Sequence, residues 1–199
     1  MVKRAFDIVV SGTLLAAFLP IIAALALLVR LESPGPVVFR QPRVGKGGGL
    51  FTMYKFRTMR MEPEETPALS AVPQVGDFES YVFDPLYGGK RYTRIGKLLR
   101  STSLDELLNL WNVLRGDMSI VGPRPEVPDL VDQYPAEYRR RHDVRPGITG
   151  LAQVNGRGEL TYHEAMVYDL DYVDQHSFLR DMVILAQTVP AVLSRRGAH

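Results

Sequence analysis

The chain has no cysteine among its 199 residues, which excludes disulfide bonds, thiolate nucleophiles and cysteine metal sites. Its four histidines, His142, His163, His176 and His199, lack the HxxxH or HxH spacing of a metal site, so zinc chemistry is disfavoured. A G-x-S-x-G elbow and a dinucleotide-binding glycine fingerprint are also missing. Their absence argues against acyl hydrolysis and dinucleotide oxidation.

A strong net charge is absent as well, because 24 basic residues face 22 acidic ones and leave a formal charge of +2. Since no nucleic-acid-binding motif is present either, we expect no nucleic-acid partner. Basic residues cluster locally, at Lys3 and Arg4, in segments 91–100 and 139–145, and at Arg195 and Arg196. These clusters would suit anionic lipid headgroups or phosphorylated substrates, but an ordinary solvated surface explains the 139–141 run equally well.

Residues 8–29 form an uncharged, apolar run, long enough for a membrane-spanning helix of about 20 residues. A secretory signal is disfavoured, because the run is long and no small-x-small cleavage site follows it before Arg30. A spanning helix with Lys3 and Arg4 on the cytoplasmic side is one alternative. The other is a re-entrant hairpin, because Pro20 lies near the middle of the run and predicts a kink. Proline alone does not decide between them.

A β-hairpin is predicted after the apolar run. Strand-like residues 37–40 and 50–56 flank the glycine-rich segment 45–49. That segment lacks the spacing of a phosphate-binding loop and leads into a strand, so we interpret it as a turn. Residues 61–90 show no sustained periodicity and are expected to form a long surface loop or lid.

A helix is predicted in the segment SLDELLNLWNVLRGDM. Its core-facing side chains would be those at helical spacing: Leu104, Leu107, Leu108, Trp111 and Leu114. Ser103 and Glu106 match a capping box, which would give Glu106 a purely structural role, and Gly116 is placed to end the helix.

Asp105 has no such structural explanation. With Glu106 it forms a carboxylate pair of the kind that holds Mg²⁺ together with substrate phosphates. One carboxylate can also attack phosphorus and form an acyl phosphate. Basic side chains that would complete a phosphate site are Lys55, Arg100, Arg124 and Arg145. Taken singly, each is better explained by an ordinary ion pair with a surface carboxylate, because such pairs are plentiful.

Several long motifs, in order, resemble the monotopic phosphoglycosyl transferase family, also called bacterial sugar transferases. They are KRAFDIV, the proline-broken apolar segment, YKFRTM, RSTSLDELLNLWNVLRGDMSIVGPRP, RPGITGLAQVNGR and DLDYV, and they extend from Lys3 to about Pro190. The chain departs from the family at Leu19, where well-known relatives place serine before the proline. A serine hydroxyl could satisfy a backbone group freed by the break, whereas leucine has no such group.

The resemblance implies an enzyme that transfers a hexose phosphate from a UDP-sugar to undecaprenyl or another polyprenyl phosphate, with Mg²⁺ as cofactor. Asp105 occupies the family's nucleophile position, and Glu106 matches the second carboxylate, expected to help hold the metal. In the implied two-step mechanism, Asp105 attacks the β-phosphorus, UMP leaves, and the lipid phosphate then attacks the phosphosugar-aspartate. Phosphate or substrate binding is expected of Lys55, Arg100, Arg124, Arg145, Gln153, Asn155 and Arg157.

The expected fold is α+β and mainly helical, with a small β-hairpin and interfacial amphipathic helices. Residues 1–32 would form a re-entrant membrane helix broken at Pro20, and residues 33–199 a catalytic domain on the cytoplasmic face of the bacterial inner membrane. Two alternatives stay open: a non-catalytic membrane scaffold, and a direct ternary-complex transferase in which Asp105 only binds metal. The sequence leaves undetermined the sugar, the glycan pathway and the oligomeric state.

Overall fold

The computed structural model describes residues 1–60, 74–82, 92–156 and 159–193, and this part of the chain is mainly helical. The helices are α1 (Val2–Glu32), α2 (Arg94–Thr102), α3 (Asn109–Arg115), α4 (Pro128–Val131), α5 (Leu151–Asn155), α6 (Tyr162–Gln175) and α7 (Phe178–Leu193). The strands are β1 (Val38–Val44), β2 (Leu50–Phe56), β3 (Ser119–Val121) and β4 (Gly147–Thr149), and 3₁₀ turns lie at Lys46–Gly48, Leu104–Leu108 and Ala136–Asp143. The expected mainly helical α+β class is confirmed.

The predicted hairpin is confirmed. Strands β1 and β2 pair antiparallel, with Val44 opposite Leu50 at the turn and Val38 opposite Phe56 at the open end. Gly47 has a φ of 68°, in the left-handed region that glycine adopts without a steric penalty, so the glycine cluster works as a turn. A second pair, β3 and β4, is parallel and was not predicted.

Helix α1 is 31 residues long and apolar enough to cross a membrane, and it is described as one helix that contains Pro20. At 1.5 Å per residue it extends about 46 Å. Its large exposed apolar side chains lie along most of its length: Val2, Ile8, Val9, Leu19, Ile21, Leu27, Leu28 and Leu31. A helix with this much exposed apolar surface fits a membrane-associated position.

Both ends of α1 are attached to the rest of the chain. Near its beginning, the buried Asp7 accepts hydrogen bonds from the Ser119 hydroxyl and the Ile120 N–H, each at 3.0 Å. At its end, Glu32 accepts from the N–H groups of Arg94 and Ile95, at 2.6 and 2.9 Å. The long helix is therefore held against the globular part at both termini.

Arg57 strengthens the second attachment. This residue is 4% exposed, and its guanidinium donates to the carbonyl oxygens of Ser33 and Pro34, where α1 has just ended. A cation at the negative end of a helix satisfies carbonyl groups that have no partner within the helix.

The segment that carries the carboxylate pair differs from its prediction. Residues Leu104–Leu108 form a 3₁₀ turn, and α3 begins only at Asn109. A 3₁₀ helix has three residues per turn, fewer than an α-helix. Apolar residues spaced for a continuous α-helix therefore no longer lie on one face. Trp111, predicted to lie in the core, is 50% exposed, whereas Leu110 and Val113 are buried. The prediction that Gly116 ends the helix is confirmed by its left-handed φ of 98°.

The capping-box prediction is wrong. Ser103 has a left-handed backbone with a φ of 58°, and its side chain makes no capping hydrogen bond at the start of the turn. The side chain of Glu106 points elsewhere, toward basic groups from other elements. A capping box exists instead between Thr161 and Glu164, at the start of α6. Glu106 is thereby free of the structural role that its local pattern suggested.

Of the expected long loop, residues 61–73 and 83–90 lie outside the described part of the chain. The piece 74–82 packs its apolar side chains Val75, Phe78 and Tyr81 against the cluster formed by residues of 127–138 and α6. The N–H of Tyr162 donates to the Tyr81 carbonyl at 2.7 Å. This piece therefore covers the first turn of α6.

Candidate active site

Asp105 and Glu106 lie side by side in the 3₁₀ turn and are both buried, at 2% and 9% exposure. Three other elements supply cations to them. Lys55 comes from β2, Arg100 from the last turn of α2, and Arg124 from the loop that follows β3. The structure thus brings together three of the four basic residues expected at a phosphate site.

Glu106 is the carboxylate that the cations neutralise. Its Oε1 accepts one hydrogen bond from Lys55 Nζ and one from Arg124 Nη2, both at 2.9 Å. Burial opposes its ionisation, but the charges of Arg124 and Lys55 outweigh burial and hold the pKa of Glu106 well below its usual range. Glu106 is therefore a fixed negative charge.

Asp105 has a different environment. Its Oδ2 accepts from Arg100 Nη1 at 3.3 Å, while its Oδ1 is buried and has no hydrogen-bond partner in the described part of the chain. Burial and the adjacent charge of Glu106 raise the pKa of Asp105 above its usual value, and Lys55 and Arg100 offset only part of this rise. Asp105 is consequently the more basic carboxylate, and one of its oxygens is buried without a partner in the described part of the chain.

Lys55 also has a shifted pKa. Burial lowers it to about 8, although the charge of Glu106 opposes the shift. Hairpin register sets its position, since Lys55 pairs with Phe39 and precedes the buried Phe56. A lysine that titrates near pH 8 makes the charge of the site sensitive to mildly alkaline conditions.

Arg124 is supported from behind by a buried network that the sequence analysis missed. Arg141, 3% exposed, donates to the carbonyl oxygen of Arg124 at 2.8 Å, to Asp169 Oδ2 at 2.5 Å and to the Tyr134 hydroxyl at 2.6 Å. The interpretation of the 139–141 run as a solvated surface is therefore wrong for Arg141. Asp169, Met166, Tyr172 and Val173 are buried at helical spacing along α6, a periodicity that would have indicated an inward-facing acid.

The remaining predicted site residues lie elsewhere. Arg145 is exposed, and its Nε donates to the Gly116 carbonyl at 2.9 Å, at the far end of α3 from the carboxylate pair. Asn155 is exposed, and its amide donates to the Leu151 carbonyl at 2.8 Å. Arg157 lies outside the described residues. A role for these three in substrate binding stays a prediction.

Gln153 does reach the site. It borders a cavity whose lining includes Glu106 and Arg124. Both polar atoms of its amide are buried without a hydrogen-bond partner in the described segments. Because buried amides are normally hydrogen-bonded, this one indicates a place for a polar ligand group.

A metal ion at this site would need ligands from the substrate as well as from the protein. Within the described ranges, no three histidine, aspartate or glutamate side chains converge as a metal site. The unpartnered Oδ1 of Asp105 is nevertheless the kind of hard oxygen donor that Mg²⁺ prefers. The carboxylate pair therefore fits a divalent cation whose coordination is completed by substrate phosphates.

Comparison with known proteins extends over nearly the whole chain. Residues 1–195 match the family model described as bacterial sugar transferase. The UDP-glucose:undecaprenyl-phosphate glucose-1-phosphate transferase of Caulobacter vibrioides is 42% identical, over 99% of this chain and 72% of its own length. The UDP-N-acetylgalactosamine-undecaprenyl-phosphate N-acetylgalactosaminephosphotransferase of Aeromonas hydrophila is 40% identical, over 100% of this chain and 45% of its own.

A third relative, the uncharacterised sugar transferase EpsL of Bacillus subtilis, is 41% identical over 99% of this chain and 90% of its own length. The chain thus spans less than half of the Aeromonas relative and nearly all of the Bacillus one. The two relatives named for a sugar act on different sugars, although their identities to this chain differ by only two percentage points, 42% and 40%. Overall identity therefore does not select the sugar.

Proposed function

Because the chain belongs to the bacterial sugar transferase family and is a phosphoglycosyl transferase, we propose that it transfers a sugar 1-phosphate from a UDP-sugar to a polyprenyl phosphate such as undecaprenyl phosphate. The products would be a polyprenyl-diphosphate sugar and UMP. Such a reaction begins the synthesis of a bacterial glycoconjugate. The donor and acceptor classes are inferred from the names of the relatives. The basic side chains of the site supply the positive charge that the phosphates of the donor and of the acceptor require.

The difference between the two carboxylates carries the proposal. Glu106 is neutralised by Lys55 and Arg124, whereas Asp105 keeps a buried, unpartnered oxygen and a raised pKa. A more basic, partly desolvated carboxylate beside phosphate-binding cations suits nucleophilic attack on phosphorus. A purely structural ion pair would give this unpartnered oxygen no role.

The reaction has two displacements at one phosphorus atom. In the first, an Asp105 carboxylate oxygen forms a bond to the β-phosphorus of the donor while the bond to the UMP oxygen breaks. In the second, an oxygen of the lipid phosphate forms a bond to that phosphorus and the bond to Asp105 breaks, which restores the carboxylate. Each displacement transfers the phosphosugar intact and leaves no proton to be balanced.

The cations of the site would bind the phosphate oxygens in both displacements. Arg124 presents a planar fork suited to two phosphate oxygens, and Lys55 adds a compact charge. Asp105 and Glu106 would hold Mg²⁺ together with donor phosphate oxygens, and the bound ion supplies further neutralisation of phosphate charge. Arg100 moderates the charge of Asp105 through their ion pair.

A re-entrant position of α1 is part of the proposal. The beginning of α1 is bonded to β3 through Asp7, and its end to α2 through Glu32. A helix that crossed the bilayer would carry these two ends to opposite faces, and one attachment would be lost. We therefore place residues 1–32 and 33–199 as one unit on the cytoplasmic face of the inner membrane, with Pro20 as the break.

The experiment uses the purified full chain, Mg²⁺ and a panel of UDP-sugars, first without and then with undecaprenyl phosphate. The expected result without lipid is about one UMP per enzyme and a phosphosugar mass on Asp105. UMP release that begins only when lipid is present would instead support a ternary-complex transferase. If no UDP-sugar gave UMP with or without lipid while the protein still bound membranes fully, the result would support the non-catalytic scaffold. The donor that gives the burst identifies the sugar.

Topology has a separate measurement. Single cysteines placed at residue 2 and near residue 199, in a chain that has no natural cysteine, can be labelled in sealed vesicles by an impermeant maleimide. Equal labelling at both positions is expected for the re-entrant arrangement. Labelling from opposite faces would establish a spanning helix.

A further inference from the structure

A cavity of about 200 Å³ connects the membrane helix with the carboxylate site. Apolar side chains of two helices line it, Leu14 and Phe18 of α1 and Ala191 and Val192 of α7. Glu106 and Arg124 of the carboxylate site line the same cavity. The cavity therefore brings apolar and charged side chains together around one space.

The two helices α1 and α7, which line the cavity, also have surfaces that suit a membrane. Helix α1 exposes large apolar side chains, and α7 exposes Leu179, Val183, Val189 and Val192. Helices that expose many large apolar side chains are suited to contact with lipid. A hydrocarbon chain could thus enter the cavity directly from the bilayer.

Among the described residues that line the cavity, one polar side chain, Gln153, has no hydrogen-bond partner. The hydroxyls of Thr149 and Thr188 bond to each other at 2.8 Å, and Thr188 also donates to the Ile184 carbonyl. The Gln153 amide, by contrast, has two buried polar atoms without a partner in the described part of the chain. A ligand that brings a hydrogen-bonding headgroup next to Arg124 would satisfy this amide.

We propose that this cavity binds the first isoprene units of the acceptor lipid, with its phosphate directed toward Gln153 and Arg124. The inference rests on the proposed function. Of the two substrates, only the acceptor has a hydrocarbon chain joined to a phosphate, and the cavity is lined by both apolar and charged side chains. Its volume of about 200 Å³ exceeds the ~150 Å³ that is enough for a benzene-sized hydrocarbon.

Under this proposal the two substrates reach the carboxylate site by different routes. The cavity between α1, α5 and α7 holds the lipid chain, and the UDP-sugar must reach Asp105 from outside that cavity. Substitutions that fill the cavity should therefore affect the acceptor and spare the donor. This separation gives the inference a readout that a general loss of folding would not produce.

The first test is Ala191→Phe, which places a ring in the cavity from α7. Its matched control is Ala186→Phe, the same change at an exposed position on the same helix. The expected result is a rise of about tenfold in the KM for undecaprenyl phosphate in Ala191→Phe only, the loss expected when about two methylene groups no longer find an apolar surface. The KM for the UDP-sugar stays unchanged in both variants.

An acceptor KM in Ala191→Phe within twofold of the control would overturn the inference. If the wild-type protein itself transferred no sugar phosphate from any donor, the proposed function would fail instead, and the two failures are therefore distinguishable. A variant that did not fold would show reduced donor binding as well, and the second test needs no variant.

The second test uses the wild-type chain and a polyprenyl phosphate that carries a diazirine on its first isoprene unit. After irradiation, the label is expected on peptides that contain residues 14–18, 148–154 or 188–192. Excess unlabelled undecaprenyl phosphate should remove it. Labelling confined to other peptides would overturn the inference. So would labelling of these peptides by a diazirine phosphatidylglycerol that undecaprenyl phosphate does not displace, because the occupant would then be an ordinary bilayer lipid.

Discussion

Arg141 donates a hydrogen bond to the backbone carbonyl oxygen of Arg124 at 2.8 Å. A buried guanidinium thus holds the loop from which the partly exposed guanidinium of Arg124 reaches the carboxylate site. The buried partner of Arg141 is Asp169, whose pKa burial raises to about 6. The orientation of Arg124 thus depends on an ion pair at the centre of the fold. This dependence on the buried pair can be tested through the stability of the protein.

Asp169→Asn should destabilise the protein by about 3 kcal/mol, because removal of one partner leaves the buried guanidinium of Arg141 uncompensated. For a chain of this size the melting temperature should fall by roughly 6–12 °C. Differential scanning calorimetry in detergent measures the change. The control is Asp174→Asn, which removes the exposed partner of Arg140 and should cost less than about 1 kcal/mol. Equal losses in the two variants would contradict the special role of the buried pair.

Asp105→Asn should abolish transfer, with a decrease of at least about 10⁴-fold in the rate of UMP release, as for other enzymes that lose a nucleophile. No phosphosugar adduct should form. Glu106→Gln should retain slow turnover, because Asp105 is still present, although Lys55 and Arg124 lose their shared anion. Quenched-flow measurement of UMP and intact-mass spectrometry distinguish the Asp105→Asn variant from the Glu106→Gln variant. Adduct formation in Asp105→Asn would remove this residue from the covalent step.

The value of kcat/KM should fall as the pH rises through about 8, where Lys55 in the free enzyme loses its proton and its charge. Lys55→Arg should move this decline to higher pH, since a guanidinium stays protonated. A pH profile from 6.5 to 10 at saturating lipid makes the comparison. Coincident profiles for the two proteins would assign the decline to another group.

A loss of stability caused by deprotonation of Lys55 would not explain this decline in kcat/KM. Between about pH 8 and its usual pKa of 10.5, Lys55 binds fewer protons in the folded protein than in the unfolded chain. Stability therefore increases with pH across this interval as far as Lys55 is concerned. Thermal melts at pH 8 and pH 9.5 provide the check.

Gly96→Ala should destabilise the protein by about 1–3 kcal/mol, because an added Cβ would lie 1.9 Å from the Thr58 carbonyl oxygen. The clash would push α2 away from residues 57–59, and Arg100 is carried by that helix. Activity should therefore fall more than in Gly76→Ala, where nothing lies within 4 Å of the added atom. Denaturant titration and UMP release measure the two effects. A neutral Gly96→Ala would show that α2 is not fixed by this contact.

Local signals predicted a large part of the fold. The glycine-rich turn and its flanking strand residues indicated the hairpin, and the uncharged run indicated the long helix. Local signals failed at 103–108, where S-x-x-E suggested a capping box. The chain adopts a 3₁₀ turn there, and the Glu106 side chain bonds to Lys55 and Arg124 instead of capping its own helix.

By itself, the sequence determined which residues carry charge and hydrocarbon, and therefore the carboxylate pair, the apolar helix and the family. Only the tertiary structure decided how the two carboxylates differ. Glu106 acquires its cations from residues 51 and 18 positions away, and Asp105 keeps one oxygen without a partner in the described part of the chain. Burial and nearby charge set these properties, and both arise from contacts between distant segments that no local pattern encodes.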